Sequence, residues 1–72
     1  MIDYKKVLLG EYDKNKNICK SRTNGIISQG GDSVSVMVML ICLDKLHGIE
    51  WEKFLHDGDI SLKEIEEIQS GN

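Results

Sequence analysis

The sequence predicts an all-α fold: a small four-helix bundle of three main helices and one short one, with a long loop between the first and second. Three observations carry that prediction. Apolar residues recur at helical spacing in the first segment. A long apolar run, Ser33–His47, is bracketed at both ends by residues that cap helices. Finally, Ser61-Leu62-Lys63-Glu64 has the form of a helix-starting box. The 72 residues make a single domain spanning 1–72, and a chain of this size buries only about 60% of its unfolded surface. That leaves little room for a deep cleft and a lid. The length therefore points away from an enzyme and toward a binding module, carrier, regulator or subunit.

The first helix is predicted over Asp3 to Asp13, where Tyr4, Val7, Leu8 and Tyr12 fall on one face. Gly10 weakens it by about 1 kcal/mol relative to alanine. From Lys14 to Gly31 the chain turns rich in Asn, Lys, Ser and Gly and loses both helical and strand periods. This reads as a long loop, and loops of such length pack down or carry a function. Its basic cluster, Lys14–Arg22, suits a phosphate-binding patch on charge alone. It lacks interleaved aromatics, so a solvated surface is the simpler reading.

Ser33–His47 opens with an alternation, Ser-Val-Ser-Val-Met-Val-Met, that would also suit a strand. The run is longer than most strands, however, and Met39, Leu40, Leu43 and Leu46 keep helical spacing. Asp32 or Ser33 supplies an N-cap, and Gly48 stands where a C-cap glycine belongs. Being apolar nearly all round, this helix either lies at the centre of the bundle or presents a sticky face. Trp51–Leu55 is predicted as a short helical turn ended by His56-Asp57-Gly58-Asp59. In the last helix Ser61 takes the Glu64 amide and Glu64 reaches back to the Ser61 amide. Ile60 and Ile65 form a hydrophobic staple. Leu62, Ile65 and Ile68 are its inward stripe.

The formal charge is −3 and the pI about 5.2, which argues against nucleic acid as a bulk electrostatic partner. Residues 1–31 carry a net +3 and residues 32–72 a net −6. Cys19 and Cys42 are the only cysteines. A small secreted domain normally uses more than one disulfide, so two reduced thiols in a cytoplasmic protein are expected. The N-terminus lacks the apolar core of a signal peptide. The longest apolar run, Val36–Leu43, is too short to span a bilayer, so no membrane partner is expected.

Chemistry-bearing residues are few. Cys19, Cys42, His47 and His56 show no CxxC or HxxxH pairing, so no metal is predicted. Ser33 follows two glycines at a helix start, but residues 31–35 read Gly-Asp-Ser-Val-Ser, without the G-x-S-x-G of a nucleophile elbow. The segment Gly30-Gly31-Asp32-Ser33-Val34 nevertheless has a physical meaning. Two glycines let the backbone turn sharply. Ser33 then stands at the first turn of an apolar helix, beside its free amides and the positive end of its dipole. A phosphate ester on that oxygen would sit where anions are stabilised. The plainer alternative is that Asp32 and Ser33 only cap a helix.

The order of these features resembles the phosphopantetheine carrier proteins, the acyl and peptidyl carrier domains of fatty-acid, polyketide and nonribosomal peptide assembly. That family has Gly-x-Asp-Ser-Leu at the start of its second helix, then a long apolar helix, Gly-Ile with a short helix, and a final helix opened by Ser or Thr. Here the chain reads GGDSV at 30–34, an apolar run to His47, Gly48-Ile49-Glu50, Trp51–Leu55, and Ile60-Ser61-Leu62 leading into Glu64–Ile68. The likeness covers about residues 26–68 well and 1–25 loosely. It departs at Gln29, usually apolar, at Val34 in place of leucine, and in a second helix charged only at Asp44 and Lys45. The last feature and the double glycine lean toward the peptidyl type.

The resemblance implies a bundle of the acyl carrier protein type, with 4'-phosphopantetheine attached to Ser33 from coenzyme A by a phosphopantetheinyl transferase. Asp32 would support recognition by that transferase. Val34, Met37, Val38 and Ile49 would meet the loading and downstream biosynthetic enzymes, although apolar residues at helical spacing equally suit the core. The protein would be a stand-alone monomeric carrier, not an enzyme, holding an aminoacyl or acyl group as a thioester. The competing expectation is a small helical interaction or regulatory module that docks through Val34–Leu43 and bears no prosthetic group.

Overall fold

The structure, a computed structural model, describes residues 1–71. Three α-helices, α1 (Tyr4–Ile18), α2 (Ser33–His47) and α3 (Leu62–Gln69), alternate with two 3₁₀ turns at Ile27–Gln29 and Trp51–Phe54. The expected short fourth helix is thus a single 3₁₀ turn. No strand forms among the described residues, although isolated antiparallel bridges join Gly25 to Ser61 and His56 to Asp59. The radius of gyration is 11.1 Å, close to the ~11 Å of a fully packed chain of this length.

α2 is the central element, packing against α1, α3 and the 51–54 turn. Its bounds are set by its caps. The Asp32 carboxylate accepts from Val34 N at 2.8 Å. Gly48 closes the other end in the left-handed region, φ 64°, with its amide on Asp44 O at 2.7 Å. Of the two N-cap candidates, Asp32 holds the position and Ser33 begins the helix. Val36, Met39, Leu40, Cys42 and Leu43 face inward to join Leu8, Ile26, Ile60, Leu62, Ile65 and Ile68 in one buried cluster.

α1 runs past its expected end at Asp13 to Ile18. The reason is Asn15, which continues the inward stripe of Leu8 and Tyr12 and is fully buried. Its amide Nδ2 donates to Glu11 O and to Ser35 Oγ, both at 2.7 Å. Ser35 Oγ in turn donates to Glu11 Oε1 at 2.6 Å. A polar knot therefore joins α1 to α2 where the apolar pattern of the sequence breaks off.

α3 starts as the capping residues require, with Glu64 N donating to Ser61 Oγ at 3.2 Å. The return arm differs from the expected box. The Glu64 carboxylate meets the Ser61 hydroxyl at 3.3 Å and His56 Nε2 at 3.4 Å. The staple residues Ile60 and Ile65 both lie in the core. α3 is tied to α1 and to the loop through Glu66, which accepts from the Tyr12 hydroxyl and from Arg22 Nη2.

That tie sets a pH response. Hydrogen bonds from Arg22 and then Tyr12 hold the Glu66 carboxyl below its ordinary 4.5. Burial and the Glu66 carboxylate push the Tyr12 hydroxyl up to about 12. A carboxylate depressed in the folded state contributes stability above its unfolded value and loses it as pH falls through the folded one. The thermal midpoint should therefore drop as pH falls below about 4.5. In Glu66→Gln that drop should be shallower, with the neutral-pH midpoint lower by a few degrees at most. Parallel pH profiles of the two proteins would disprove the tie.

The double glycine before α2 answers two separate demands. Gly30 has φ 100°, with its amide on Ile27 O at 3.0 Å. At Gly31 an added Cβ would lie 2.4 Å from Ile26 Cγ2 and 2.7 Å from Ile26 O. Ile26 is fully buried, so it has no room to retreat. Gly31→Ala should therefore cost about 1–3 kcal/mol in chemical denaturation, as overpacking does. An unchanged denaturation midpoint would refute this close approach.

Candidate functional site

The candidate site is the start of α2 and the loop that leads into it. Ser33 is exposed and is the first residue of the helix. Its hydroxyl has no hydrogen-bond partner among the described residues, whereas Ser35, two residues on, is buried and bonded on both sides. The first intrahelical bond at this end runs from Val36 N to Asp32 O at 3.1 Å. The Ser33 and Ser35 amides therefore precede the helical hydrogen-bond ladder. The Asp32 side chain is engaged in capping. Its carboxylate and the dipole of α2 thus set opposite fields around the Ser33 oxygen.

The loop from Cys19 to Asp32 is not slack. Gln29 Oε1 accepts from Ser21 N at 2.8 Å, and its Nε2 donates to Ser21 O and Asn24 O at 2.9 and 3.0 Å. The glutamine that breaks the resemblance thus closes the loop on itself, and it needs amide chemistry to do so. On the other side the Asp59 carboxylate accepts from Ile27 N, Ser28 N and its own following amide, Ile60 N, at 2.9, 3.0 and 2.8 Å. Ile26 N donates to Ile60 O at 2.9 Å, and Lys63 N to Arg22 O at 2.9 Å.

The four residues expected to meet partners divide into two pairs. Val34 and Met37 are exposed, at 66% and 53%. Val38 and Ile49 are half-buried and pack against the core, so their side chains serve the interior at least in part. Ile41, 47% exposed, extends the outer stripe one turn further along α2. It fell within the Val34–Leu43 docking face of the competing expectation but not among the four residues tied to the carrier resemblance, because in a helix apolar all round the sequence does not say which apolar residues turn outward. The sequence marked Gln29 only as a departure from the resemblance and Asp59 only as part of a turn, because nothing in a linear pattern shows what they hold.

Both cysteines are free thiols, Cys42 buried and Cys19 half-buried. Burial pushes both up from their ordinary value, with Asp59 adding to the effect at Cys19 and Glu11 at Cys42. This disfavours the nucleophilic thiolate. Among the described residues no group of three or more His, Cys, Asp or Glu side chains is placed to hold a metal ion. No helix among them is long and apolar enough to cross a membrane. Compared with protein-family models, curated proteins and solved structures, the chain matches none.

Proposed function

We propose that this chain is a carrier protein whose Ser33 bears 4'-phosphopantetheine and so holds an aminoacyl or acyl intermediate as a thioester during biosynthesis. The observation that carries this reading is the Ser33 hydroxyl, exposed and unpartnered at the first turn of the central helix. The residues suit the group. The Ser33 oxygen is accessible, the amides beside it precede the helical ladder, and a phosphodiester there lies at the favourable end of the α2 dipole. When bound, the arm supplies the reactive thiol; the protein supplies anchorage and a surface. In the attachment, Ser33 Oγ forms the new bond to phosphorus and gives up its proton, while adenosine 3',5'-bisphosphate leaves coenzyme A.

The partners on this reading are a phosphopantetheinyl transferase, a loading enzyme and the downstream enzymes that consume the thioester. They would meet the protein along Val34, Met37 and Ile41. Asp32 acts through the cap that fixes the orientation of Ser33. Two unpaired thiols accord with a protein working in a reducing compartment such as the cytoplasm.

A second reading, a helical interaction module without a prosthetic group, draws on the same exposed apolar stripe. One experiment separates the two. The protein is incubated with coenzyme A, magnesium and a promiscuous phosphopantetheinyl transferase and then weighed intact. Gain of one phosphopantetheinyl group supports the carrier. A folded wild type that gains nothing overturns it in favour of the interaction module.

A further inference from the structure

We infer that Asp59 is a positioning residue for the modification of Ser33, although 26 positions separate them in the chain. This rests on the reading of Ser33 as the attachment point. The Asp59 carboxylate gathers three backbone amides, two of them, Ile27 and Ser28, from the 3₁₀ turn just before the double glycine. That turn fixes the approach to α2. Gly30 N bonds Ile27 O at 3.0 Å and Gly31 N bonds Ile26 O at 2.9 Å, and Asp32 and Ser33 follow at once. Gly25 makes the seat possible, since a Cβ there would lie 2.0 Å from Asp59 Oδ2.

Ser33 itself is held by α2. What Asp59 fixes is the wall of loop that any enzyme must accommodate when it reaches the Ser33 oxygen. With the carboxylate lost, Ile27 N and Ser28 N give up their acceptor and the wall loosens. The reacting hydroxyl stays where it is, but the surface around it no longer matches a partner in one shape. Preorganisation lost in this way weakens binding of the carrier more than it slows the chemical step.

The test is steady-state kinetics of the phosphopantetheinyl transferase with wild type, Asp59→Asn and Gly25→Ala as carrier substrates. Asp59→Asn sets an N–H group against amide donors, and Gly25→Ala displaces the carboxylate without removing it. For both, KM for the carrier should rise about tenfold or more with kcat within about twofold. Ile68→Val, a core change in α3, serves as the control for lost stability and should keep the wild-type KM. If the Asp59 and Gly25 variants keep wild-type KM while wild type is modified, the positioning role is wrong and the carrier reading stands. If folded wild type is never modified, it is the carrier reading that falls. Amide exchange in the unmodified wild type gives a check that needs no variant to fold. Protection at Ile27 and Ser28, which share the Asp59 carboxylate, should be lost in one common opening, and independent opening of these two amides would refute the shared seat.

Discussion

Ser33→Ala is expected to abolish attachment of the phosphopantetheinyl group completely and to leave stability unchanged or slightly higher. The reasoning concerns one oxygen. Ser33 Oγ is exposed and bonds to none of the described residues, so its removal leaves nothing unpaired. Alanine is also the better helix former, by a few tenths of a kcal/mol. Ser35→Ala should show the opposite pair of results. Its hydroxyl lies between Asn15 Nδ2 and Glu11 Oε1 in a buried contact, and its loss strands both partners at a cost of about 1–3 kcal/mol. Modification at Ser33 should persist in that variant. Intact mass and denaturation curves for the two proteins read both effects. A modified Ser33→Ala protein would move the attachment point elsewhere and end the assignment.

The second large effect concerns the polar knot between α1 and α2. Asn15→Asp should unfold the domain at neutral pH. The site is closed to water, and it presents Asn15 with two acceptor-lined approaches, the Glu11 carbonyl and the hydroxyl of Ser35, which is already donating to Glu11. A carboxylate there has no donor for its second oxygen and shares its surroundings with the Glu11 carboxylate. Burying such a charge costs several kcal/mol, comparable to the entire stability of a small domain, at about 5 kcal/mol. The burden is a carboxyl group whose folded-state pKa lies above its unfolded one. It is therefore absent below the ordinary aspartate value of about 3.9 and grows as pH rises above it. The gap between variant and wild type should accordingly narrow as pH falls toward 4 in circular dichroism melts.

Asn15→Leu makes the comparison sharper. Asn15 Oδ1 has no partner among the described residues, so leucine removes an orphaned acceptor along with two donated bonds. Ser35 keeps Glu11 as its acceptor. The net change should stay within about 1 kcal/mol. Wild-type behaviour of Asn15→Asp at neutral pH would show that the knot is open to solvent.

The fold was legible wherever local chemistry terminates an element. Asp32 and Gly48 set both ends of α2, and Ser61 sets the start of α3, because a cap acts within a few residues of itself. The end of α1 was not legible. Asn15 is polar in sequence and core in structure, and its burial depends on Ser35, twenty positions on. The loop failed for a related reason. It looked structureless because its backbone is paired with Asp59 and Ile60 and its Arg22 with Glu66, and spacing along the chain cannot show partners so distant. At the candidate site, the glycines and the cap placed Ser33 at the first turn of α2, where it is exposed. The expected partner surface was half legible. Val34 and Met37 turn to solvent, while Val38 and Ile49 lie partly inside.

The seam between the 19–32 loop and residues 59–66 makes the shape of the loop depend on the far end of the chain. A truncated chain ending at Gly58 lacks Asp59, Ile60, Lys63 and Glu66, and with them the partners of the Ile26, Ile27 and Ser28 amides and of Arg22. On the carrier reading, such a fragment should be a poorer substrate for a transferase than the whole chain.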